Sequence, residues 1–385
     1  MVILMEESYV SNQESLKVFC KNISESEWLA IDTEFIREKT FFPELSLIQV
    51  CNKDFAAVID IIKIKDLKPL LDILYNGKII KIFHAGNQDL EIFFNNWNQI
   101  PLPIFDTQPA AALLGYGDQI GYAKLVKSLL SVDLKKDQSR TNWLTRPLSK
   151  EQIRYALDDV IYLGDVYLQL RSKLCNAKRL HWLVTDFIKL TDPAVYCPDP
   201  FDFWKKIKGK KNLNGKQLAA LRLLAQWREK TARMRNLPRN WVIKDNILVE
   251  ISRQFPQTLN KLNKINGIEQ LKIENDKKEL ITLINQASNL NEDQRPEVEK
   301  TQRRLSVQQE AMVGLLNACL HLIASKHQLS PQAIATNKDL QKFVIDDEGC
   351  KLNEGWRRDI AGNYLTDIKN GKINLINKDG KLELK

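Results

Sequence analysis

A short apolar segment that ends in two acidic residues, Trp28-Leu-Ala-Ile-Asp32-Thr-Glu34-Phe35, constrains the fold of this chain more than any other. Its composition predicts a buried β-strand, in which residues i and i+2 point to the same face, so Asp32 and Glu34 project side by side. Two carboxylates near a core repel each other and lose hydration, and a cation between them relieves both effects. The segment therefore predicts either half of a divalent-metal site or a merely polar strand end.

The pattern that surrounds this segment indicates a mixed α/β sheet covered by helices. Further strands are predicted at residues 45–50, 55–60 and 78–83. Helices are predicted at 67–74, 88–95, 108–114, 122–130 and 150–172. Short polar connections join the first three strands, as in an antiparallel meander.

Length and composition bound the class of protein. A chain of 385 residues predicts two or three domains, and 44% hydrophobic with 27% charged residues is typical of a globular protein. The apolar runs are shorter than the roughly 18–20 residues that cross a bilayer, and Met1–Met5 is too short for a signal peptide. The six cysteines form no CxxC pair or Cys/His cluster, which favours a reducing cytoplasm and disfavours zinc.

Positive charge is concentrated in one part of the chain. Residues 203–250 hold thirteen Lys and Arg against three acidic residues, a net charge of +10, so that a chain total of +9 leaves −1 for all other residues. A basic domain joined to a nearly neutral one predicts a polyanionic partner, most simply nucleic acid. A solvated lysine-rich face is the alternative.

A second candidate site element is His84-Ala-Gly86-Asn-Gln-Asp89. A small-residue turn after a strand brings the first turn of a helix to the carboxyl edge of the sheet, where open α/β sheets hold ligands. Asp89 would lie in that first turn, although an acidic residue also favours a helix N-terminus through the macrodipole. Asp106 is predicted to be an N-cap for the helix at 108–114.

The third element is a helix with a capping-box signature, Ser149 followed by Gln152. Tyr155 and Asp159 are four residues apart and lie on one face of this helix. A phenol beside a carboxylate suits an acid that binds metal and a hydroxyl that positions water. The alternative is an aromatic residue on the buried stripe beside a surface acid.

Together these elements resemble the tyrosine-bearing branch of the DEDD 3′→5′ exonucleases, and more closely the ribonuclease D family. The histidine-bearing branch would need His where this chain has Arg154. The resemblance covers residues 1–190. Its motifs are Ile31-Asp-Thr-Glu-Phe-Ile-Arg37, Phe41-Phe-Pro, Leu47-Ile-Gln49, His84-Ala-Gly-Asn-Gln-Asp-Leu90, Phe105-Asp-Thr-Gln108 and Trp143-Leu-Thr-Arg-Pro-Leu148.

The resemblance implies a ribonuclease H-like exonuclease domain that trims the 3′ ends of structured RNA, chiefly precursor tRNA, and releases nucleoside 5′-monophosphates. It implies two Mg²⁺ or Mn²⁺ ions held by four carboxylates, with Tyr155 positioning the attacking water. The ligands would be Asp32, Glu34, Asp89 and Asp159. Residues expected along the substrate groove are Thr33, Phe35, His84, Arg140 and Trp143.

The C-terminal half contains a helical repeat. Ala232, Leu237, Val242, Asp245 and Leu248 correspond, at a constant offset of 92, to Ala324, Leu329, Ile334, Asn337 and Leu340. The first copy resembles the HRDC domain, a nucleic-acid-binding module, and the resemblance predicts RNA contacts from Arg228, Arg233 and Arg235. The predicted domains are 1–195 (exonuclease), 205–288 (HRDC), 289–304 (linker) and 305–385 (a second, nearly neutral HRDC-like domain).

Three functions fit these observations: an exoribonuclease, a 3′→5′ DNA exonuclease, and a catalytically silent RNA-binding scaffold. The complete set of four carboxylates and Tyr155 disfavours the scaffold. The chain contains no GxxxxGK[ST] phosphate loop, so no nucleotide cofactor is expected. A monomer without a membrane partner is expected.

Overall fold

The computed structural model describes residues 5–135, 141–297, 305–346 and 349–385. The chain divides into two compact units. The first contains Met1–Phe35, Leu45–Asp192 and Leu305–Lys385, and the second contains Ile36–Glu44 and Pro193–Arg304. The units cut across the predicted domains, because residues 305–385 group with the exonuclease part and the loop at 36–44 groups with the first helical module.

A mixed sheet with the strand order β1-β4-β3-β2-β5-β6 forms the first unit's framework. Its strands are β1 Glu6–Val10, β2 Trp28–Ile36, β3 Glu44–Cys51, β4 Phe55–Asp60, β5 Ile80–Phe83 and β6 Ile104–Asp106. Strands β3 and β4 are antiparallel, whereas β1 pairs with β4, β2 with β5, and β5 with β6 in parallel. The predicted mixed sheet is confirmed, and β1 is an additional strand at its edge.

Helices accompany the sheet, and α1 and α8 are additional to those that the sequence predicts. They are α1 Gln13–Ile23, α2 Lys68–Leu74, α3 Asn87–Trp97, α4 Thr107–Ala112, α5 Tyr122–Leu130, α6 Lys150–Ile161, α7 Leu163–Asn176 and α8 Leu183–Leu190. The apolar centre of β2 is fully buried, with Leu29, Ala30 and Ile31 at most 1% exposed. Burial of this centre fixes β2 in the core and leaves its polar end to carry the site.

The single helix predicted at 150–172 is wrong, because the structure has two helices that meet at Tyr162. Gly164, in the first turn of α7, packs against the indole of Trp28 on β2. A Cβ at position 164 would lie 2.2 Å from that ring. Glycine is therefore required where α7 approaches the strand that carries the acidic pair.

The second unit is helical around one hydrophobic core. Its helices are α9 Pro193–Tyr196, α10 Gly215–Arg235, α11 Arg239–Val242, α12 Asp245–Gln254, α13 Leu259–Leu262 and α14 Glu274–Ser288. Asn214 and Gln217 form a capping box at the start of α10, and Asn236 ends it in the left-handed conformation. Phe41, from the loop at residues 36–44, is part of this core.

The third segment contains α15 Val307–Lys326, α16 Pro331–Ile334, α17 Asn337–Val344, α18 Gly355–Arg357, a π-helix Arg358–Gly362, α19 Asn363–Lys369, and the hairpin strands β7 Leu375–Lys378 and β8 Lys381–Leu384. Its helices α15, α16 and α17 begin 92 residues after α10, α11 and α12. Ser306 and Gln309 repeat the capping box of Asn214 and Gln217. The bond from the Leu237 amide to the Ala232 carbonyl recurs from Leu329 to Ala324.

This third segment contacts the exonuclease part of its unit through two tryptophans. The rings of Trp182 and Trp356 stack with centroids 4.6 Å apart and an interplanar angle of 6°. Arg179 donates to the carbonyl of His327 at 2.6 Å, and Arg357 lies 3.5 Å from the carboxylate of Asp186. Stacking of two large rings buries apolar area and holds the segment against the exonuclease fold.

Two further properties of the chain follow from the fold. Among the described residues, no helix combines the length and apolarity needed to cross a bilayer. All six cysteines are free thiols.

Candidate active site

Three carboxylates from two elements meet at the end of β2. Asp32 and Glu34 project from the strand and Asp159 from α6, and each offers an oxygen within 4.8 Å of the other two. All three side chains are partly buried. The i, i+2 spacing on β2 therefore produces the expected acidic pair, and α6 supplies a third acid opposite to it.

Asp89, in the first turn of α3, adds a fourth carboxylate to this region. The hydroxyl of Thr33 donates to it at 2.5 Å, and Thr33 lies between the two acids of β2 in the sequence. Its charge also raises the pKa values of Asp32 and Glu34, as expected of a carboxylate close to both.

Asp106 fixes the turn that leads into α3. As predicted, it caps the N-terminus of α4 by accepting from the amide of Gln108. The same carboxylate accepts from the amides of Ala85 and Gly86 at 3.0 and 2.9 Å. Ala85 has a left-handed φ of +57°, an unfavourable conformation for alanine that these bonds help to hold.

Burial raises the pKa of every acid in the cluster, and nearby carboxylates add to each shift. Burial, and then the neighbouring carboxylates, raise the pKa of Asp32 well above its usual value and that of Glu34 to about 9. Burial raises the pKa of Asp89 to about 6, although the bond from Thr33 opposes the shift. Burial raises the pKa of Asp159 to about 7. Four acids that resist ionisation together form a site that a cation would stabilise.

The donor chemistry of this cluster fits divalent metal. Carboxylate oxygens are the ligands that Mg²⁺ and Mn²⁺ prefer. Burial and the neighbouring carboxylates raise the pKa values of Asp32 and Glu34, so a positive charge close by would favour the ionised forms of both. The residues present therefore match a hard, oxygen-liganded cation.

Tyr155 lies one turn before Asp159 on α6, and its hydroxyl lowers the pKa of that carboxylate against the larger, opposite effect of burial. Its ring packs beside Trp143, with centroids 6.0 Å apart. The carbonyl of Trp143 accepts from Ser46 at 2.6 Å and from Arg146 at 2.5 Å. A network behind the site therefore supports the aromatic wall against which Tyr155 rests.

This network is anchored on Asp60, whose side chain is fully buried at the end of β4. The guanidinium of Arg146 donates to both oxygens of Asp60, at 2.6 and 2.9 Å, and Tyr9 also donates to it. Arg146 and Tyr9 lower the pKa of Asp60 against the opposing effect of burial. The pair is bidentate, which fixes orientation as well as distance.

Comparison with known proteins places these features in a family. A model for the 3′-5′ exonuclease family matches residues 8–175, and a model for the HRDC domain matches residues 217–284. Ribonuclease D of Bartonella henselae is 36% identical over 98% of this chain and 93% of its own length. Ribonuclease D of Pseudomonas paraeruginosa is 38% identical over 94% and 96%.

This chain belongs to the ribonuclease D family. The crystal structure of Escherichia coli RNase D, described as an exoribonuclease involved in structured RNA processing, is 29% identical, with a TM-score of 0.82 over 95% of this chain and 99% of that one. The predicted 3′→5′ exoribonuclease activity is thereby confirmed, with RNA as substrate and divalent-metal dependence typical of the fold. The DNA-exonuclease and silent-scaffold alternatives are not favoured.

Several residues predicted to touch RNA have internal roles in this ribonuclease D fold. Thr33 is 5% exposed and holds Asp89, and Trp143 is 2% exposed behind Tyr155. The ring nitrogens of His84 lie 2.9 Å from the Thr107 hydroxyl and 3.0 Å from the Ile120 carbonyl. The bonds and packing given for these three side chains are to other protein groups. Phe35 is half-buried, and Arg140 lies outside the described residues.

The three arginines predicted to bind RNA are paired within the second unit. Arg228 is 5% exposed and donates to Asp245 at 2.6 Å. Arg235 forms a bidentate pair with Asp276, and Arg233 donates to Glu229 at 3.0 Å. Burial keeps Arg228 away from the outer surface of the unit, and the other two offer RNA only the part of the guanidinium that their acids leave open.

Sequence reasoning missed two contributors to this ribonuclease D site. The first is the Asp60–Arg146 pair, whose partners are 86 residues apart. The second is Tyr122, whose hydroxyl donates to the Asp158 carbonyl at 3.1 Å and whose half-buried side chain lies near Asp159 and Asp32. Of these residues, only Arg146 could have been found from the sequence, because it lies inside the Trp143–Leu148 motif.

Proposed function

We propose that Asp32, Glu34, Asp89 and Asp159 hold two divalent ions, Mg²⁺ or Mn²⁺, at which the 3′-terminal phosphodiester of RNA is hydrolysed. One observation carries the proposal: three partly buried carboxylates have oxygens within 4.8 Å of one another. With Asp89 tied to Thr33 beside them, the cluster has the acid content that two hard cations need.

When bound, the ions would supply Lewis-acid activation of water and neutralise charge on the phosphate. The side chains of the protein hold the reacting groups in place. The hydroxyl of Tyr155, held on α6 next to Asp159, orients the attacking water toward the phosphorus. A P–O bond forms to that water and the bond to the 3′-oxygen breaks. The shortened RNA keeps a 3′-hydroxyl, and the released nucleotide carries a 5′-phosphate.

We further propose that the enzyme belongs to the tyrosine-bearing branch and that its main substrates are structured RNAs, chiefly precursor tRNA. The presence of Tyr155 beside Asp159 supports the branch. The description of the Escherichia coli relative as acting in structured RNA processing supports the substrate class.

Residues 305–385 are proposed to form a second HRDC-like module. The repeated capping box and repeated turn bond at the offset of 92 support a common origin with the first module. We assign most RNA backbone contact to the basic first module and a packing role to the second. The protein is proposed to act as a cytoplasmic monomer, where its six thiols stay reduced.

The decisive experiment incubates the full chain with 3′-labelled precursor tRNA and with matched single-stranded DNA, in Mn²⁺ or in EDTA. We expect stepwise release of nucleoside 5′-monophosphate from the RNA in the presence of Mn²⁺ and no release in EDTA. Preferential digestion of DNA, or RNA binding without cleavage in Mn²⁺, would overturn the proposal.

A further inference from the structure

A cavity of about 500 Å³ lies inside the second unit, between the loop at residues 36–44 and the helices that follow Pro193. This volume is within the range of roughly 300–1,000 Å³ usual for ligand pockets. The side-chain oxygen of Asn236 accepts from the amides of Phe41 and Phe42 at 3.1 and 3.2 Å. Hydrogen bonds within the protein therefore hold the loop wall in place.

The lining of this cavity is positively charged. Arg37, Lys206, Arg228 and Arg239 line it together with two acids, Glu38 and Asp245, a net charge of +2. Arg228 is 5% exposed, and its Nε has no hydrogen-bond partner among the described residues. A buried, incompletely bonded guanidinium in the wall of a basic cavity favours an anionic ligand.

Arg239 is the most strongly positioned of these cations. Its guanidinium lies 4.6 Å from the ring centroid of Phe41 and 5.3 Å from that of Phe203. Its Nε and Nη2 donate to Glu229 at 2.5 and 2.9 Å. Within the described part of the chain its Nη1 has no partner, so that one end of a fixed guanidinium remains available to a phosphate oxygen.

We propose that this cavity binds a backbone phosphate of the RNA substrate, with Lys206 and Arg239 as the contacting cations. Lys206 is exposed and has no ion-pair partner in the described structure, so it is the group most able to turn toward a ligand. The inference rests on the proposed function, because RNA supplies the phosphate. A phosphodiester is singled out because the pocket combines mobile and fixed donors with aromatic walls, as nucleic-acid grooves do.

The test uses the full chain in EDTA, which blocks cleavage, and measures affinity for a hairpin RNA with a single-stranded 3′ extension. We expect Lys206→Glu to weaken binding at least fivefold at low salt. Lys208→Glu is the matched control, because Lys208 is also exposed and lies two residues away but does not line the cavity. It should weaken binding less than twofold. Equal losses would overturn the proposal, since they would indicate diffuse attraction.

A second variant tests whether RNA binding depends on the space in the cavity and not only on its charge. Asn240 is an exposed residue of the cavity wall, and Asn240→Trp should fill the space without changing charge. A loss of RNA affinity similar to that of Lys206→Glu is expected, with the unfolding midpoint unchanged. Wild-type affinity in a folded Asn240→Trp chain would contradict the assignment.

Acetylation footprinting identifies the ligand directly. Bound RNA should protect Lys206 and leave Lys208 reactive, as read by mass spectrometry. Equal protection of Lys206 by AMP, inorganic phosphate or polyglutamate at the same charge concentration would overturn the RNA assignment. Cleavage of RNA by the wild-type chain in Mn²⁺ is measured in a separate assay, which tests the proposed function independently of the cavity. A chain that digests RNA while its Lys206 stays unprotected would refute the cavity and leave the proposed function intact.

Discussion

At the residue scale, the acids of the site favour the binding of a cation and lower the stability of the metal-free protein. Asp159 has its pKa raised to about 7 by burial first, with Tyr155 partly compensating. Asp159→Asn should therefore abolish RNA cleavage, and it should stabilise the metal-free protein at pH 8 by at least about 1 kcal/mol, because a raised pKa is destabilising once the group ionises. Cleavage assays and urea unfolding in EDTA test both parts. Substantial activity in a folded Asp159→Asn chain would refute the role.

The same acids predict how stability depends on pH. Their pKa values in the folded state lie above the unfolded values near 4, at about 6 for Asp89, 7 for Asp159 and 9 for Glu34. The contribution of these acids to stability is complete when the pH is below their pKa values in the unfolded state. It is lost as the pH rises through their pKa values in the folded state. The melting temperature in EDTA should therefore fall from pH 5 to pH 9, and Mn²⁺ should restore it. A Glu34→Gln chain with an unchanged pH profile would contradict this account.

Arg146 is predicted to be a positioning residue for Tyr155, acting through Trp143. Arg146→Lys keeps the charge but loses the bidentate bond to Asp60 and the bond to the Trp143 carbonyl. We expect kcat to fall about tenfold or more, since small displacements of catalytic groups reduce rates strongly, with KM little changed.

Arg253→Lys is the control for Arg146→Lys, because Arg253 forms an exposed pair with Glu250 and exposed pairs contribute little. It should leave kcat and stability unchanged. If Arg146→Lys lowered stability while kcat per folded molecule stayed normal, Arg146 would have a purely structural role.

The acids of the site could be predicted from the sequence, whereas the residues that hold them in place could not. Asp32 and Glu34 were predictable because a two-residue period places both on one face of a strand, and Asp159 because a four-residue period aligns it with Tyr155. The pairing of Asp60 with Arg146 depends on the sheet and a distant loop, which no local period encodes. The burial of Trp143 and Arg228 likewise depends on packing by elements far away in the sequence.

At the element scale, the contact between β2 and α7 is the closest approach in the exonuclease fold that glycine makes possible. Gly164→Ala would place a methyl group 2.2 Å from the Trp28 ring. Overpacking of this kind costs about 1–3 kcal/mol, and a shift of β2 would move Asp32 and Glu34. We expect lower stability and lower kcat, measured by urea unfolding and RNA cleavage.

Gly314 on α15 provides the matched control, because no heavy atom lies within 4 Å of a Cβ built there. Gly314→Ala should stabilise the protein by about 0.5–1 kcal/mol through helix propensity. The prediction for Gly164 would be wrong if both substitutions changed stability in the same direction.

Most elements of the fold were predictable because their apolar periodicity is strong. Strand β1 was not, since its first residues, Glu6 and Glu7, are exposed and acidic, and pairing with β4 rather than its own composition makes it a strand. The break at Tyr162 was missed for a related reason. The residues on either side favour helix, and only the one residue Tyr162 divides α6 from α7.

At the scale of the whole molecule, the fold uses much of the basic module's charge internally. Arg228 pairs with Asp245, Arg235 with Asp276, and both Arg233 and Arg239 with Glu229. A count of charges in the sequence treats every cation as available to RNA. The structure shows that the arginines mainly hold the module together, and that lysines provide most of its accessible charge.

The salt dependence of RNA binding distinguishes these two views. Within residues 203–250, the exposed lysines without an ion-pair partner in the described structure are Lys206, Lys208, Lys211, Lys230 and Lys244. Each phosphate contact on single-stranded RNA contributes about 0.7 to the slope of log K against log salt. Lys208 lies outside the proposed phosphate site and Arg239 belongs to it, so Lys206, Lys211, Lys230, Lys244 and Arg239 are the expected contacts. Five contacts predict a slope of about −3.5, whereas the net charge of +10 would predict about −7. Titration of the full chain in EDTA with a single-stranded RNA from 50 to about 300 mM salt measures the slope. A value near −7 would mean that the paired arginines release their acids to bind RNA, and the internal role assigned to them would then be wrong.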